Sequence, residues 1–481
     1  MSINVPCKSE NIREYASLQE AVMENTTNNR LQKYRMSIFK EVAKLAWQGR
    51  LEEGIEELPD QILGEKADDE KERKIVRNYI RMAMGVDPSR EEHSLIEDVE
   101  KALQLSQVES PLVAVIENIC DECHRYHGED TYDEECPRGH LDCTKGEHKC
   151  LGCGKCMGEC PLGAISDKIE FIPFIKMLQD KKQPIYATIA PAYVGQLGDN
   201  MTPGKLRAAL KWMGFTDMIE VAVFADILTV KEAYEFDHMV KTEKDFFITS
   251  CCCPVWVGLI QKNFKDIEDH VSPSVSPMIA SGRVVKALNP NAKVVFIGPC
   301  IAKKAEAKIE DLKDAIDYVL TFRELHEIFG ALEIDLETLE DDDREEASFS
   351  GRVYARTGGV SKAVELSVER VTQRDIPFKS VCFDGAKDCK EGLHRLLEGE
   401  IQANFIEGMG CVGGCVGGPR TIASVEKATE KVNRYSESTT MKTPFDNNNV
   451  LELITSLGLK RLESLEHGES IKNLLVRNLN R

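Results

Sequence analysis

The stretch Phe246-Phe247-Ile248-Thr249-Ser250-Cys251-Cys252-Cys253-Pro254-Val255-Trp256 joins an apolar run directly to hydroxyls and thiols. Two other runs end in the same manner: Ile185 to Ile189 leads into Ala190-Pro191-Ala192, and Val294 to Ile297 into Gly298-Pro299-Cys300. Short apolar runs bounded by turn residues read as buried strands. Alternating with helical segments, they predict an α/β fold. Open α/β sheets build their sites at the carboxyl ends of strands, where these polar residues fall.

At 481 residues the chain is too long for one core, so a multidomain architecture is expected. A net charge of −20 excludes a broadly basic nucleic-acid surface. An acidic partner would have to dock on a local basic patch. No run of about 18 apolar residues suggests a membrane span, and the N-terminus has no charged and apolar leader pattern. The expectation is a soluble, cytoplasmic protein. Seventeen cysteines, many in Cys-x-x-Cys spacing, point to reduced thiolates that ligate metal.

Four regions are expected. Residues 1–108 place apolar residues such as Leu31, Tyr34, Ile38, Val42 and Ala46 at three- and four-residue spacing, which reads as an N-terminal helical region. Residues 109–172 hold eight cysteines between Cys120 and Cys160. Residues 173–425 carry the strand-to-site pattern, and residues 426–481 read as a helical tail without catalytic signal. The acidic run Glu337 to Glu346 reads as a solvated loop or helix end.

Cys150-x-x-Cys153-x-x-Cys156-x-x-x-Cys160-Pro161 matches the bacterial ferredoxin run, in which three cysteines hold one 4Fe-4S cluster and the fourth reaches its neighbour. A zinc site is the alternative, needing only four thiolates. Upstream, Cys120-x-x-Cys123, Cys136-Pro137 and Cys143 resemble a first ferredoxin motif opened by an insertion. On the two-cluster pattern Cys136 joins Cys150, Cys153 and Cys156, while Cys160 joins Cys120, Cys123 and Cys143. One cluster with spare thiols is the other reading, and Cys136 and Cys143 are the least fixed assignments.

Three later segments resemble the motifs of the iron-iron (FeFe) hydrogenases. Patterns of the type Thr-Ser-Cys-Cys-Pro-x-Trp, Pro-Cys-x-x-Lys-x-x-Glu and Glu-x-Met-x-Cys-x-x-Gly-Cys are matched in order by Thr249 to Trp256, Pro299 to Glu306 and Glu407 to Cys415. The resemblance covers about residues 115–425. It implies a two-lobed catalytic domain beside a ferredoxin-like domain with two 4Fe-4S clusters. It also implies an H-cluster, a 4Fe-4S cubane linked to a two-iron unit with CO, CN and azadithiolate ligands. Cys253, Cys300, Cys411 and Cys415 are its implied ligands, Cys415 being the bridge. Ala190, Pro191, Lys303, Met409 and Cys251 are the implied cofactor contacts.

Residue chemistry bears on the same positions. Neighbours in an extended segment point to opposite sides, so Cys251, Cys252 and Cys253 would not all ligate one metal. The family spacing makes Cys252 the proton-carrying thiol, kept protonated by burial. Lys303 offers a fixed cation to an anionic cyanide in a dry cavity. Gly413, Gly414, Gly417 and Gly418 allow close backbone approach. Glu232 and Glu235 share a helix face, and the resemblance makes them relay carboxylates with Ser272, in the order Glu235, Ser272, Glu232, a water, Cys252. Glu306 would order the loop that holds Lys303.

Gly298, Met278 and Met239 depart from the commoner family residues, methionine, glutamine and arginine respectively, and Gly417-Gly418-Pro419 shortens the glycine-rich ending. With Cys251 these mark a divergent subgroup. The extra thiol suggests that a mobile loop lets Cys252 cap an open iron under oxidising conditions; an unchanged oxygen response in Cys251→Ala would reject this. The implied activity is reversible, heterolytic interconversion of protons and electrons with H2 by an oxygen-sensitive enzyme. Implied partners are ferredoxin or a similar low-potential carrier, and maturation proteins. A hydrogen sensor and a non-catalytic iron–sulfur assembly scaffold are the rival readings.

Overall fold

A computed structural model describes residues 27–89, 91, 93–105, 107–109, 112–116, 152–154, 156–157, 160, 163–249, 252–336, 338–459, 461–462, 465 and 469–479. Cys120, Cys123, Cys136, Cys143, Cys150 and Cys251 lie outside these residues. The chain divides into two units: Met1–Tyr132 with Lys155–Pro173, and Asp133–Gly154 with Phe174–Arg481. Among the described residues no helix is long and apolar enough to cross a membrane.

In the first unit, helices Thr27–Trp47, Glu70–Ala83 and Leu95–Gln104 accompany a two-stranded antiparallel sheet of β1 (Val113–Val115) and β2 (Ile165–Asp167). The three- and four-residue apolar spacing puts Ile38, Phe39 and Val42 on one buried face. Asp69 and Ser94 cap the second and third helices by accepting from Lys71 N and Ile96 N. Between those helices, buried Arg81 and Asp98 pair at 2.7 Å.

Among the described residues the second unit holds seven strands: β3 (Ile185–Ile189), β4 (Asp217–Glu220), β5 (Phe247–Ile248), β6 (Lys293–Gly298), β7 (Tyr318–Thr321), β8 (Ser380–Asp384) and β9 (Phe405–Met409). They form a sheet of order β4-β3-β6-β7 and another of order β5-β9-β8. Every pairing in both is parallel. Parallel strands buried on both faces need near-continuous apolar runs, as Val294 to Ile297 supplies. Helix Ala222–Met239 is buried along Ala222 to Ala233 and packs against helices Phe349–Val353, Gly359–Val371 and Pro277–Leu288.

Two local expectations are corrected. Cys252 lies in a turn rather than an extended segment, and Cys253, whose own backbone is extended, is the N-cap of helix Pro254–Asn263. Pro254 at the first helical position favours that start, because its fixed φ suits a helix and its missing N–H is not needed there. Nor is the acidic run solvated throughout. Glu346 turns inward, accepting from Arg207 at 2.6 Å and from Glu220 N at 2.7 Å. Wholly buried Arg207 needs a carboxylate there.

Candidate metal centre and proton path

Four loops from the carboxyl ends of strands converge on one cavity. Ala190 follows β3, Cys252 and Cys253 follow β5, Cys300 follows β6 and Cys411 follows β9. Cys415 sits in the short 3-10 turn Gly414–Gly417, entered through Gly413 and Gly414 at φ 80° and 85°. A side chain on Gly414 would also strike backbone, its Cβ falling 2.7 Å from Thr357 N. Ala190, Cys252, Cys253, Cys300, Cys411, Gly414 and Cys415 line a cavity whose empty space, its opening to solvent included, is about 770 Å³, together with Pro191, Met278, Phe296, Lys303 and Met409.

The donor set selects the guest. Among the described residues no three His, Cys, Asp or Glu side chains are arranged to hold a single metal ion. Cys253, Cys300, Cys411 and Cys415 instead stand around a volume, which suits a multinuclear cluster. Burial, then the neighbouring Cys253 and Cys415, pushes the Cys300 thiol up to about 12, against the pull of Lys303. Burial and Cys253 raise Cys415 to about 11, and Cys411 is driven well above the ordinary range by burial and Cys300. These three thiols become thiolates together when iron supplies the compensating charge. Gly410 N already points at Cys253 Sγ across 3.3 Å, the kind of amide contact that a thiolate favours. The residues therefore fit a cubane-type iron–sulfur cluster.

Lys303 forms the polar edge of the cavity. Its Nζ donates to Cys252 O at 2.7 Å and to Glu306 Oε2 at 2.6 Å. Burial opposes its charge, but Glu306, Cys252 and Cys300 together hold its pKa above the ordinary lysine value. Ser276 Oγ donates to the same Glu306 oxygen at 3.1 Å. Met278 and Phe296 supply apolar wall, and a Cβ on Gly298 would fall 2.6 Å from the Phe296 ring. Phe296 thus fills space beside Gly298.

Glu232 and Glu235 lie on helix Ala222–Met239, Glu232 buried and Glu235 partly so. Thr249 Oγ1 donates to Glu232 Oε2, and Trp256 Nε1 fixes the Thr249 carbonyl at 2.9 Å. Ser272 Oγ donates to Glu235 Oε2 at 2.8 Å and lies in hydrogen-bond contact with Ser274 Oγ at 2.9 Å. Lys231 Nζ bonds Glu235 and reaches Ser274 Oγ at 2.8 Å. Sequence reasoning missed Thr249, Ser274 and Lys231 here. The four-residue spacing of Lys231 and Glu235 was an available signal. Met239 packs as a partly buried apolar residue.

Of the ferredoxin-type run, Cys153 belongs to the same unit as the cavity, close enough to add to the cost of ionising Cys411. A Cβ on Gly152 would meet Ala302 Cα at 3.1 Å, and one on Gly154 would meet Pro419 at 2.8 Å, so this segment runs tightly beside the loops after Cys300 and Cys415. Cys156 and Cys160 belong to the first unit, where Cys160 N donates to Cys156 O at 3.0 Å.

Residues 183–419 match the family described as iron only hydrogenase large subunit, C-terminal domain, and residues 145–166 match the 4Fe-4S binding domain family. The chain is 26% identical to the NADP-reducing hydrogenase subunit HndD of Solidesulfovibrio fructosivorans, over 66% of its own length and 64% of the relative's. It is 28% identical to iron hydrogenase 1 of Clostridium pasteurianum, over 57% and 56%. It thus spans less than two thirds of either relative. A shorter likeness, 31% over 18% of each chain, is to the cytosolic Fe-S cluster assembly factor NAR1 of Kluyveromyces lactis. In fold it is similar to the FeFe-hydrogenase HydA1 from Chlamydomonas reinhardtii, with a TM-score of 0.52 at 19% identity, covering 63% of this chain and 96% of that one.

Proposed function

We propose that this chain, an FeFe-hydrogenase-like protein by family match and by fold, interconverts two protons and two electrons with H2. The observation that carries the reading is a single apolar cavity walled by Cys253, Cys300, Cys411 and Cys415, edged by anchored Lys303, with Cys252 beside them. The cofactor proposed for it is an H-cluster, whose two-iron unit with its CO, CN and azadithiolate ligands supplies the redox centre and internal base for heterolytic chemistry.

The protein's own residues supply the rest. Cys253, Cys300, Cys411 and Cys415 would hold the cubane, and Lys303 would offer its ammonium to anionic cyanide ligands. Ala190, Pro191, Met278 and Met409 exclude water, which strengthens each charge interaction within. Cys252 holds a proton at Sγ and exchanges it through a water with Glu232; Ser272 and Glu235 carry it onward to the surface. The ferredoxin-type cysteines would hold 4Fe-4S clusters, which would supply electron exchange with ferredoxin or a similar low-potential carrier. Loading the two-iron unit calls for dedicated maturation proteins, and the thiol-rich, oxygen-sensitive site suits a reducing cytoplasm.

The test is an anaerobic infrared spectrum of protein matured with the two-iron cofactor, with hydrogen evolution assayed on the same sample. Metal-bound carbonyl and cyanide bands with turnover support the reading. Bands without turnover would favour a hydrogen sensor. The short likeness to NAR1 favours a second reading, an iron–sulfur assembly scaffold. Protein with intact cubanes that takes up no two-iron unit would carry that reading instead.

A further inference from the structure

Glu306 is wholly buried and meets Lys303 of its own helix and two side chains from elsewhere in the fold. Its Oε2 accepts from Lys303 and Ser276. Its Oε1 accepts no hydrogen bond among the described residues and faces the Arg477 guanidinium at 3.7 Å. The Arg477 side chain is 5% exposed, so this is an ion pair out of water.

Arg477 arrives on a C-terminal strap. After helix Glu469–Leu475 the chain lies along Pro273–Val275. Val275 N donates to Leu475 O at 2.8 Å, Arg477 N donates to Pro273 O at 2.9 Å, and Ser274 bridges Val476. Arg283 NH1 holds Val476 O at 3.0 Å, and Gln261 Nε2 holds Leu479 O at 2.9 Å. The strap therefore backs both the Ser272–Ser274 segment of the proton path and the carboxylate behind Lys303.

Counting charge gives this contact its consequence. Lys303 and Glu306 alone form a neutral pair, and in a low-dielectric wall the carboxylate would cancel much of the ammonium's field in the cavity. Arg477 on the other carboxylate oxygen draws that negative charge toward itself and away from Lys303. The ammonium's field in the cavity is then cancelled less, which favours an anionic guest there.

We propose that Arg477 is a positioning residue of the metal centre. Engaging Glu306 from behind, it keeps the Lys303 charge available to an anionic guest and Lys303 seated on the Cys252 turn. The guest's identity rests on the hydrogenase reading; the strap's hold on the two loops does not.

Hydrogen–deuterium exchange on full-length protein carrying its iron–sulfur clusters, without the two-iron unit, tests the hold. Arg477→Met is expected to raise exchange roughly tenfold in peptides covering Cys252–Trp256 and Lys303–Glu306, with strand Ile185–Ile189 unchanged. Arg477→Lys should restore most of the protection, and in a Glu306→Gln background Arg477→Met should add less than about twofold. Unchanged exchange in both peptides overturns the proposal, as does exchange rising equally in Ile185–Ile189, or an effect of equal size with and without Glu306. Infrared-monitored uptake of a two-iron complex bearing carbonyl and cyanide ligands tests the charge. Arg477→Met should slow it roughly tenfold, with recovery in Arg477→Lys; equal rates and unshifted cyanide bands overturn that part. If the parent protein takes up none of the complex, the hydrogenase reading fails and the exchange result still decides the strap.

Discussion

The hydroxyl of Ser272 donates to Glu235 across 2.8 Å, tying a loop serine to a helix carboxylate 37 residues earlier. Because Lys231 holds the other Glu235 oxygen, this carboxylate is braced on both sides. Glu235→Gln preserves the shape but not the proton-carrying group. Hydrogen evolution is expected to fall by about 10²-fold, with carbonyl and cyanide bands retained. Turnover at the parent rate would remove Glu235 from the path.

Cys252 and Cys253 are neighbours with different expected losses. Cys253→Ala should prevent full cubane loading, measured as iron and labile sulfide per chain. Cys252→Ala should leave that ratio unchanged while turnover drops by about 10²-fold or more. Equal iron loss in both variants would make Cys252 a ligand and not a proton carrier.

The place of Gly298 beside Phe296 predicts the effect of restoring the commoner methionine. Gly298→Met must displace the Phe296 ring, at a cost of about 1–3 kcal/mol, seen as a lower thermal midpoint. Adding Phe296→Ala should recover part of that loss. A neutral Gly298→Met would mean that the ring yields without strain.

Two buried carboxyl groups set a stability slope with pH. Burial raises Asp226 to about 6, against hydrogen bonds from Ser348 and Asn447. Burial, then the Glu220 charge, raises Glu346 to about 7. Both bind protons more tightly folded than unfolded, so stability falls as pH rises from about 4 to 7 and the full cost is present above that. Each shift corresponds to about 3 kcal/mol at most. The thermal midpoint of cluster-loaded protein should be higher at pH 5 than at pH 8, and Glu346→Gln should flatten the difference. A midpoint that rises over that range would contradict the assignment.

The parallel strands that aim the ligands were legible in sequence because burial on both faces writes an uninterrupted apolar run, as at Val294 to Ile297. The family resemblance implied Cys253, Cys300, Cys411 and Cys415 as ligands, and the structure brings these four to one cavity. The turn at Cys252 was misread as extended because the thiols mask the start of the helix that Pro254 opens. Glu346 hid inside a charge run; only the buried Arg207 beside it distinguishes it from its solvated neighbours. Arg477 carried no local signal at all. Its meeting with Glu306 arises from the route of the tail, which no periodicity records.

The cavity's walls come from different sheets: Cys300 from the four-stranded sheet, Cys253 and Cys411 from the three-stranded one. Neither half can assemble the ligand set by itself, so a cluster seated there acts as a cross-link between two separately hydrogen-bonded layers. On the proposed reading, loading such a cluster would therefore favour the arrangement in which both sheets present their thiols together, since whatever binds that form alone stabilises it by mass action.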